Sequence, residues 1–223
     1  MRTRFLIKTL ITSVAFSLIL FISAGKINYF QGWLFFVTNI VTGLMNFWTI
    51  RNDEGLMNER SKIGDNMKSW DKKILGISSL VYVINVIIAG LDAGRFQWSP
   101  NFHWSIYALG VLLIITGQII FLTARKQNKY FSSVVRIQEN RGHKVCETGL
   151  YKVVRHPGYL GMTISLISIP LITGSVWSTI TTLIAIILLF IRTHLEDKTL
   201  LSELDGYKEY SEKTGNRLIP FMW

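Results

Sequence analysis

The residues best suited to chemistry are a short basic motif and a pair of charged residues further along the chain. Arg155 and His156 stand directly before Pro157, and a proline in this position suits the first turn of a helix. An ionisable side chain at a helix entrance near the membrane surface is a candidate for function. The plainer alternative is that Arg155 and His156 only cap the helix at the membrane interface.

The charged pair consists of Arg192 and Glu196, which share one face of a helix because they are four residues apart. They end the second of two apolar runs that only a Gly-Ser dipeptide separates, a pattern that predicts a helical hairpin. The hairpin returns to its starting side and so brings both residues near His156. The alternative is an exposed ion pair worth about 0.3–0.5 kcal/mol. Asp197 is expected to be a solvated neighbour.

The long polar segment before the motif contains Gln138, His143 and Tyr151, which have side chains able to line a pocket. Two nearby glycines indicate an ordered loop rather than a linker. Alone, these residues are no more than polar groups of a loop. The single cysteine, Cys146, excludes an internal disulfide and a site with several thiolates, and the four histidines form no ligand cluster. No metal is therefore expected.

The elements that position these residues are apolar. Hydrophobic residues make up 49% of the chain and charged residues 17%, below the usual about 25% of soluble domains. The charges are clustered between long apolar runs, which is typical of a polytopic membrane protein. Glycine-rich nucleotide loops, Walker loops and nucleophile elbows are missing, which excludes a soluble Rossmann-type cofactor domain. No linker divides the chain, so a single domain over 1–223 is predicted.

Six apolar runs predict an all-α, polytopic integral-membrane helical bundle of about six spans, ending in the hairpin. The runs cover 5–24, 31–50, 74–91, 103–124, 159–173 and 176–193. The fifth run is short and carries Pro170, so it is expected to tilt or to span only partly. The first run has span length and a poor cleavage site, which favours a retained helix over a signal peptide. Residues 1–124 then supply four spans, and residues 125–223 hold the polar sequence that could build a site.

Basic residues are distributed very unevenly along this topology. Of the 24 Lys and Arg residues, only Lys26 and Arg95 fall in loops on one side. All others belong to the N-terminus, the segments 51–73 and 125–158, or the tail from Arg192. Cytoplasmic loops carry such an excess, so both termini and the two long polar segments are predicted to be cytoplasmic, in a bacterial inner membrane. The net charge of +10 then reflects topology and anionic lipid rather than nucleic-acid binding.

Two further features concern polar residues near the membrane. The tail 206–223 is amphipathic and ends in Phe-Met-Trp, which predicts a cytoplasmic helix lying on the bundle and anchored by interfacial aromatic residues. Asn46 and Asn85 lie within spans. Hydrogen bonding between helices is their expected role, and a polar lining to a substrate channel is the alternative.

Together these residues resemble the isoprenylcysteine carboxyl methyltransferase family, within a wider group that includes phospholipid N-methyltransferases. The resemblance extends from about Gln138 to the C-terminus, whereas the first half is similar only as apolar spans. The shared pattern is His143-x7-Tyr151-x4-His156-Pro157-x-Tyr159, a tight hairpin, Arg192-x3-Glu196, Gly206-Tyr207-x2-Tyr210 and Arg217-Leu-Ile-Pro220.

The resemblance implies methyl transfer from S-adenosyl-L-methionine to a lipophilic acceptor, in contact with membrane lipid. The best-motivated acceptor is the carboxylate of an isoprenylated cysteine, which Arg192 would face as the catalytic residue. The resemblance assigns the cofactor to Gln138, His143, Lys144, Val145, Cys146, Tyr151, His156, Pro157, Gly158, Tyr159 and Glu196. Methyl transfer from a sulfonium is an in-line displacement that requires alignment and exclusion of water, and no metal.

Three alternatives remain open from the sequence. A phospholipid amine or a small thiol as acceptor would leave Arg192 without an obvious purpose. An NADPH-dependent membrane reductase is similar in its C-terminal Arg-His-x-x-Tyr region, but this chain is short and has no dedicated basic pair for a 2′-phosphate. A non-catalytic scaffold is disfavoured because His156, Tyr159, Arg192 and Glu196 occur together.

Overall fold

A computed structural model of the protein describes residues 2–53, 55 and 67–220. The α-helices bounded within these residues are α1 Arg2–Ala24, α2 Phe30–Ile50, α3 Ser69–Ala89, α4 Trp104–Gln127, α5 Pro157–Thr173, α6 Ser178–Glu203 and α7 Tyr207–Lys213. A π-helix, Gly90–Phe96, continues α3, and 3-10 turns cover Glu139–Arg141 and Gly149–Lys152. The described part of the chain contains no strand, which confirms the predicted all-α class.

Five of these helices are long and apolar enough to cross a bilayer: α1, α2, α3 with its π-helix, α4 and α6. The polytopic helical membrane bundle is thereby confirmed. Helix α5 has 17 residues, or about 25 Å at 1.5 Å per residue. It contains Pro170 and ends at Gly174, whose φ of +70° is readily adopted only by glycine. The hairpin's first arm is therefore short, as predicted.

The largest extensions beyond the apolar runs occur in α3 and α6, and both bear on the site. Helix α3 begins at Ser69 rather than at 74, so Asp71 lies in the helix and not in a loop. Helix α6 continues to Glu203 rather than ending at 193, so Arg192 and Glu196 lie well inside it. Hydrophobicity marks only helical turns that face lipid, and these extra turns pack against polar protein.

The six long helices pack around a ring in the order α1, α2, α4, α5, α6 and α3, with α3 returning to α1. The most extensive contact is between α4 and α5, which meet at Gly117 and Gly161. A Cβ atom on either glycine would lie 2.5 Å from the other's carbonyl oxygen. Small residues of this kind let two backbones approach inside a membrane, where close packing drives association.

Replacing Gly117 with alanine is expected to lower stability by about 1–3 kcal/mol, because backbone rather than a flexible side chain occupies the space that the methyl group needs. The measurement is the thermal unfolding midpoint of the protein in detergent. Gly76→Ala is the matched control, since a Cβ atom there would meet nothing within 4 Å. Equal midpoints for the two variants would contradict the close α4–α5 contact.

Polar side chains inside the bundle are used to join helices. The Asn85 amide donates to the Ser178 carbonyl oxygen at 3.0 Å and to the hydroxyls of Thr181 and Thr182. The Asn46 side-chain oxygen accepts a hydrogen bond of 3.0 Å from Arg125. Hydrogen bonding between helices, the role expected for both asparagines, is confirmed.

The bundle has two chemically different ends. At one end, the fully buried Asp92 accepts hydrogen bonds from Ser99, Ser175 and the Trp177 amide. At the other end lie the long polar segments, where Lys68 pairs with Glu203 at 2.7 Å. The predicted gathering of the polar segments on one side is confirmed for the described residues. The candidate site lies at this second end.

Candidate active site

A polar cleft opens at the end of the bundle that carries the long polar segments. Its walls come from residues 128–136 and 143–146, the start of α5, the last turns of α6, and α7. Its cavity volume is about 100 Å³. Nine of the residues assigned to the cofactor line it: His143, Lys144, Val145, Cys146, Tyr151, His156, Gly158, Tyr159 and Glu196. The structure thus brings them together, and their binding of a cofactor stays a prediction.

Two other residues assigned to the cofactor are not among those that line the cleft. Gln138 is buried, and its amide donates to the Tyr130 carbonyl oxygen at 2.7 Å and accepts from Arg141 at 2.6 Å. Gln138 therefore orders the loop that forms the cleft wall. Pro157 occupies the first turn of α5, as the sequence predicts, and there it directs His156 and Gly158 towards the cleft.

Asp197 is the centre of a buried cluster of charges beneath the cleft. Its two carboxylate oxygens accept hydrogen bonds from Arg155 at 2.8 and 2.9 Å and from Arg217 at 2.9 Å. The Tyr207 hydroxyl donates to it at 2.8 Å, and the His156 ring nitrogen lies 3.2 Å away. We call these five residues the Asp197 cluster. Only 1% of Asp197 is exposed, so the expectation of a solvated side chain is wrong.

The Asp197 cluster forms because the C-terminal segment folds back over the start of α5. The Arg155 and His156 amides donate to the carbonyl oxygens of Asn216 and Arg217, both at 2.9 Å. The Arg155 guanidinium also donates to the Thr214 carbonyl oxygen at 2.8 Å. Arg155 and His156 are both buried, so their role goes beyond capping a helix at the membrane interface.

The tail forms a short helix that packs on the bundle, as the sequence predicts. Helix α7 spans Tyr207–Lys213, and both Tyr207 and Tyr210 are buried against the cleft. Tyr210 donates to the Tyr151 carbonyl oxygen at 2.7 Å. The aromatic tail 221–223, predicted as an anchor, lies outside the described residues.

Burial governs the titration of this region. It raises the pKa of the Tyr207 phenol far above its ordinary value, and the adjacent Asp197 carboxylate raises it further. Burial alone would lower the pKa of Arg155, but its hydrogen bonds and attraction to Asp197 give a net increase. Tyr207 is therefore a permanent hydrogen-bond donor, and Arg155 a permanent cation.

Tyr159 and Glu196 join α5 to α6 inside the cleft, where the Tyr159 hydroxyl donates to the Glu196 carboxylate. The other side of Tyr159 faces Arg192, whose guanidinium carbon lies 5.3 Å from the ring centroid. This distance is within the range of a cation–π interaction. The ion partner of Arg192 is not Glu196 but Asp71, at 2.7 Å. The simple pair between Arg192 and Glu196, raised as the alternative, is therefore wrong.

Arg192 lines a second cavity, which lies within the ring of helices and has a volume of about 440 Å³. We call it the membrane cavity. Most of its walls are apolar side chains, and all six long helices contribute to it. It follows α5 from Met162 to Ile172, or about 15 Å at the helical rise. Arg192 lies at the end nearer the polar cleft and Tyr159, so the two spaces meet at these two side chains.

Asp71 and Asp197 are the site residues that sequence reasoning missed. Asp71 was placed in a loop because it precedes the apolar run of α3, and Asp197 was read as the solvated neighbour of Glu196. The available signal was an acidic residue within one turn of an apolar run, close to a membrane surface where an isolated charge is costly.

Comparison with known proteins identifies relatives of this chain. A profile of the phospholipid methyltransferase family matches residues 105–205, from α4 to the end of α6. The chain is 30% identical over 174 residues to the protein-S-isoprenylcysteine O-methyltransferase of Schizosaccharomyces pombe. This match covers 68% of the present chain and 73% of the yeast protein. It is also 27% identical over 123 residues to a probable protein-S-isoprenylcysteine O-methyltransferase of Oryza sativa subsp. indica, a match that covers 54% of this chain and 64% of the rice protein.

A third relative is protein-S-isoprenylcysteine O-methyltransferase B of Arabidopsis thaliana, which is 35% identical over 63 residues, or 28% of this chain and 32% of that protein. The match to the fission yeast protein covers more than two thirds of each chain. The resemblance that the motifs indicated is thus confirmed. The chain belongs to the isoprenylcysteine carboxyl methyltransferase family.

Proposed function

We propose that this methyltransferase transfers a methyl group from S-adenosyl-L-methionine to the carboxylate of an isoprenylated cysteine, or to a similar lipid-linked carboxylate. One observation carries the proposal: Tyr159 in the polar cleft lies against Arg192 in the membrane cavity. A polar donor and a lipophilic acceptor can react only where their separate sites meet. The names of the relatives supply the class of acceptor.

The cleft has groups that fit the proposed cofactor. The half-buried Glu196 carboxylate suits a cationic or hydroxyl group, and the Tyr159 ring suits the sulfonium through cation–π attraction. Lys144 offers a positive charge for the cofactor's carboxylate. Because ligand pockets usually enclose about 300–1,000 Å³, we expect the cleft to widen between segments 128–136 and 143–146 when the cofactor binds.

The membrane cavity is suited to the acceptor's hydrocarbon chain. Its apolar walls exclude water, and its length of about 15 Å accommodates a lipid tail along α5. The acceptor carboxylate then lies beside Arg192 and close to the cleft. The preference of an arginine for anions favours a carboxylate over an amine or thiol as the methylated group.

The reaction needs little from the protein except alignment. When bound, S-adenosyl-L-methionine would supply an electrophilic methyl group, and the acceptor oxygen would form the new C–O bond as the C–S bond breaks and its electron pair stays on sulfur. An acceptor carboxylate is ionised at neutral pH, so no residue has to remove a proton. Arg192 would hold the acceptor, Tyr159 and Glu196 would hold the cofactor, and the apolar walls would keep water out.

The first test is calorimetric binding of S-adenosylhomocysteine to the purified protein. Glu196→Ala is expected to weaken binding about 10–100-fold, because a hydrogen bond to a charged group is lost. Glu203→Ala is the matched control. It lies on the same helix, but it pairs with Lys68 outside the cleft and should leave binding unchanged. No binding by the wild type, or equal binding by all three proteins, would refute the cofactor site.

Identification of the acceptor requires a methylation assay with a labelled donor and lipid extracts. Methyl ester formation on a prenylated cysteine derivative is the expected result. A phospholipid amine is the second candidate, because the matching family profile describes phospholipid methyltransferases. Thermal stabilisation by NADPH but not by S-adenosyl-L-methionine would instead support the reductase alternative.

We further propose that the cleft faces the cytoplasm, in a bacterial inner membrane with both termini on the cytoplasmic side. The support is the concentration of basic residues in the polar segments that gather at this end of the bundle. Modification of the lone Cys146 in intact and permeabilised cells tests the orientation. Labelling of intact cells by a membrane-impermeant thiol reagent would contradict it.

A further inference from the structure

Asp71 joins the polar cleft and the membrane cavity through a single buried carboxylate. None of its surface is exposed. One oxygen accepts a hydrogen bond of 2.7 Å from Arg192 Nε, and the other lies 3.3 Å from Arg192 Nη2. The second oxygen also accepts from the Val135 amide at 2.7 Å. Val135 lines the cleft and Arg192 lines the cavity, so Asp71 ties the two sites to each other.

Asp71 also decides which part of Arg192 remains available. The Nε–Nη2 edge, the edge that usually grips a carboxylate with two hydrogen bonds, is taken by Asp71. Nη2 donates in addition to the Ser133 carbonyl oxygen at 3.0 Å. Nη1 makes no hydrogen bond to any residue that the structure describes. An acceptor beside Arg192 therefore meets the single Nη1 amino group rather than an edge with two hydrogen-bond donors.

The opposite charges of Arg192 and Asp71 also limit how tightly an acceptor carboxylate is held. A buried arginine alone would attract an acceptor carboxylate strongly and would engage both of its oxygens. Oxygen lone pairs held in charge-assisted hydrogen bonds are less available to attack a methyl carbon. The Asp71 carboxylate offsets the charge of Arg192, so the acceptor is oriented without being held tightly.

We propose that Asp71 is a positioning residue for methyl transfer: it holds Arg192 so that only Nη1 faces the acceptor carboxylate, and it leaves that carboxylate reactive. This inference rests on the proposed carboxyl methylation. It adds a carboxylate on α3 to a site that is otherwise built from the polar segments and from α5, α6 and α7.

Asp71→Asn tests the proposal in a methylation assay with a prenylated cysteine derivative. We expect kcat to fall about 10²-fold, as it does when a reacting group is misplaced by about 1 Å. The KM for the acceptor should fall, because Arg192 without the negative charge of Asp71 attracts the acceptor carboxylate more strongly. A purely structural role for Asp71 predicts a smaller number of folded molecules with unchanged kcat and KM. Rates are therefore expressed per S-adenosylhomocysteine binding site.

A double-mutant comparison shows whether Asp71 acts through Arg192. In an Arg192→Gln background, Asp71→Asn should lower kcat no further, because the group that it positions is gone. Independent, multiplying effects, or an unchanged kcat in the single Asp71→Asn variant, would overturn the inference. Asp205→Asn, at an exposed position, is the control and should behave as wild type. If the wild type esterifies no carboxylate acceptor, it is the proposed function that fails.

Discussion

Replacing Asp197 with alanine is expected to destabilise the protein by about 3–5 kcal/mol, because it leaves buried cations without their counter-ion. Arg155 is only 7% exposed and depends on Asp197 for its two carboxylate contacts. Tyr207 and Arg217 would lose the same partner, so the C-terminal segment would no longer be held over the start of α5. The thermal unfolding midpoint in detergent and the titration of S-adenosylhomocysteine sites both measure this loss.

The control for Asp197→Ala is an acidic residue without such partners among the residues that the structure describes. Asp205 follows α6 in sequence but is exposed, so Asp205→Ala should leave the unfolding midpoint and the number of binding sites unchanged. Asp197→Asn keeps the shape of the side chain and removes the charge, and we expect an intermediate loss. A stable Asp197→Ala protein with full cofactor binding would contradict the assigned role of the cluster.

Replacing Arg192 with glutamine is expected to lower kcat/KM for carboxyl methylation about 10²–10³-fold, the usual loss when one preorganised charged donor is removed. Arg192 is the cationic group at the junction of the cavity and the cleft, and its Nη1 is available to an acceptor. Methylation of a phospholipid amine or a small thiol should change much less, since neither acceptor requires a cation. Initial rates with the three acceptors measure this selectivity.

Arg192→Lys separates the geometry of the side chain from its charge. The lysine ammonium can still balance Asp71, so stability should be largely kept, but it lacks the planar fork that serves Asp71 and the acceptor together. We therefore expect a stable protein that remains strongly impaired in carboxyl methylation. An equal loss of activity with all three acceptors would show that Arg192 is needed for folding and not for recognition of a carboxylate.

The amino-acid sequence by itself determined the class of fold and most of the candidate site. Apolar runs of span length, the clustering of charge and the uneven distribution of Lys and Arg follow from the cost of exposing polar groups to lipid, and each can be read locally. The entrance of α5 at Pro157 and the return of α6 through Gly174 are likewise local signals. They were enough to bring His156, Tyr159 and Glu196 together.

Only the tertiary structure decided which charges meet. Asp71 pairs with Arg192 across 121 positions of sequence, and Asp197 pairs with Arg155 across 42. No local pattern encodes such distances, because a carboxylate within a turn of an apolar run looks the same whether it is solvated or buried with a cation. Burial is settled when α6 packs against α3 and the C-terminal segment closes over α5. That packing converts Asp197 from an expected surface residue into the centre of a cluster, and it gives Arg192 a partner that its own helix does not supply.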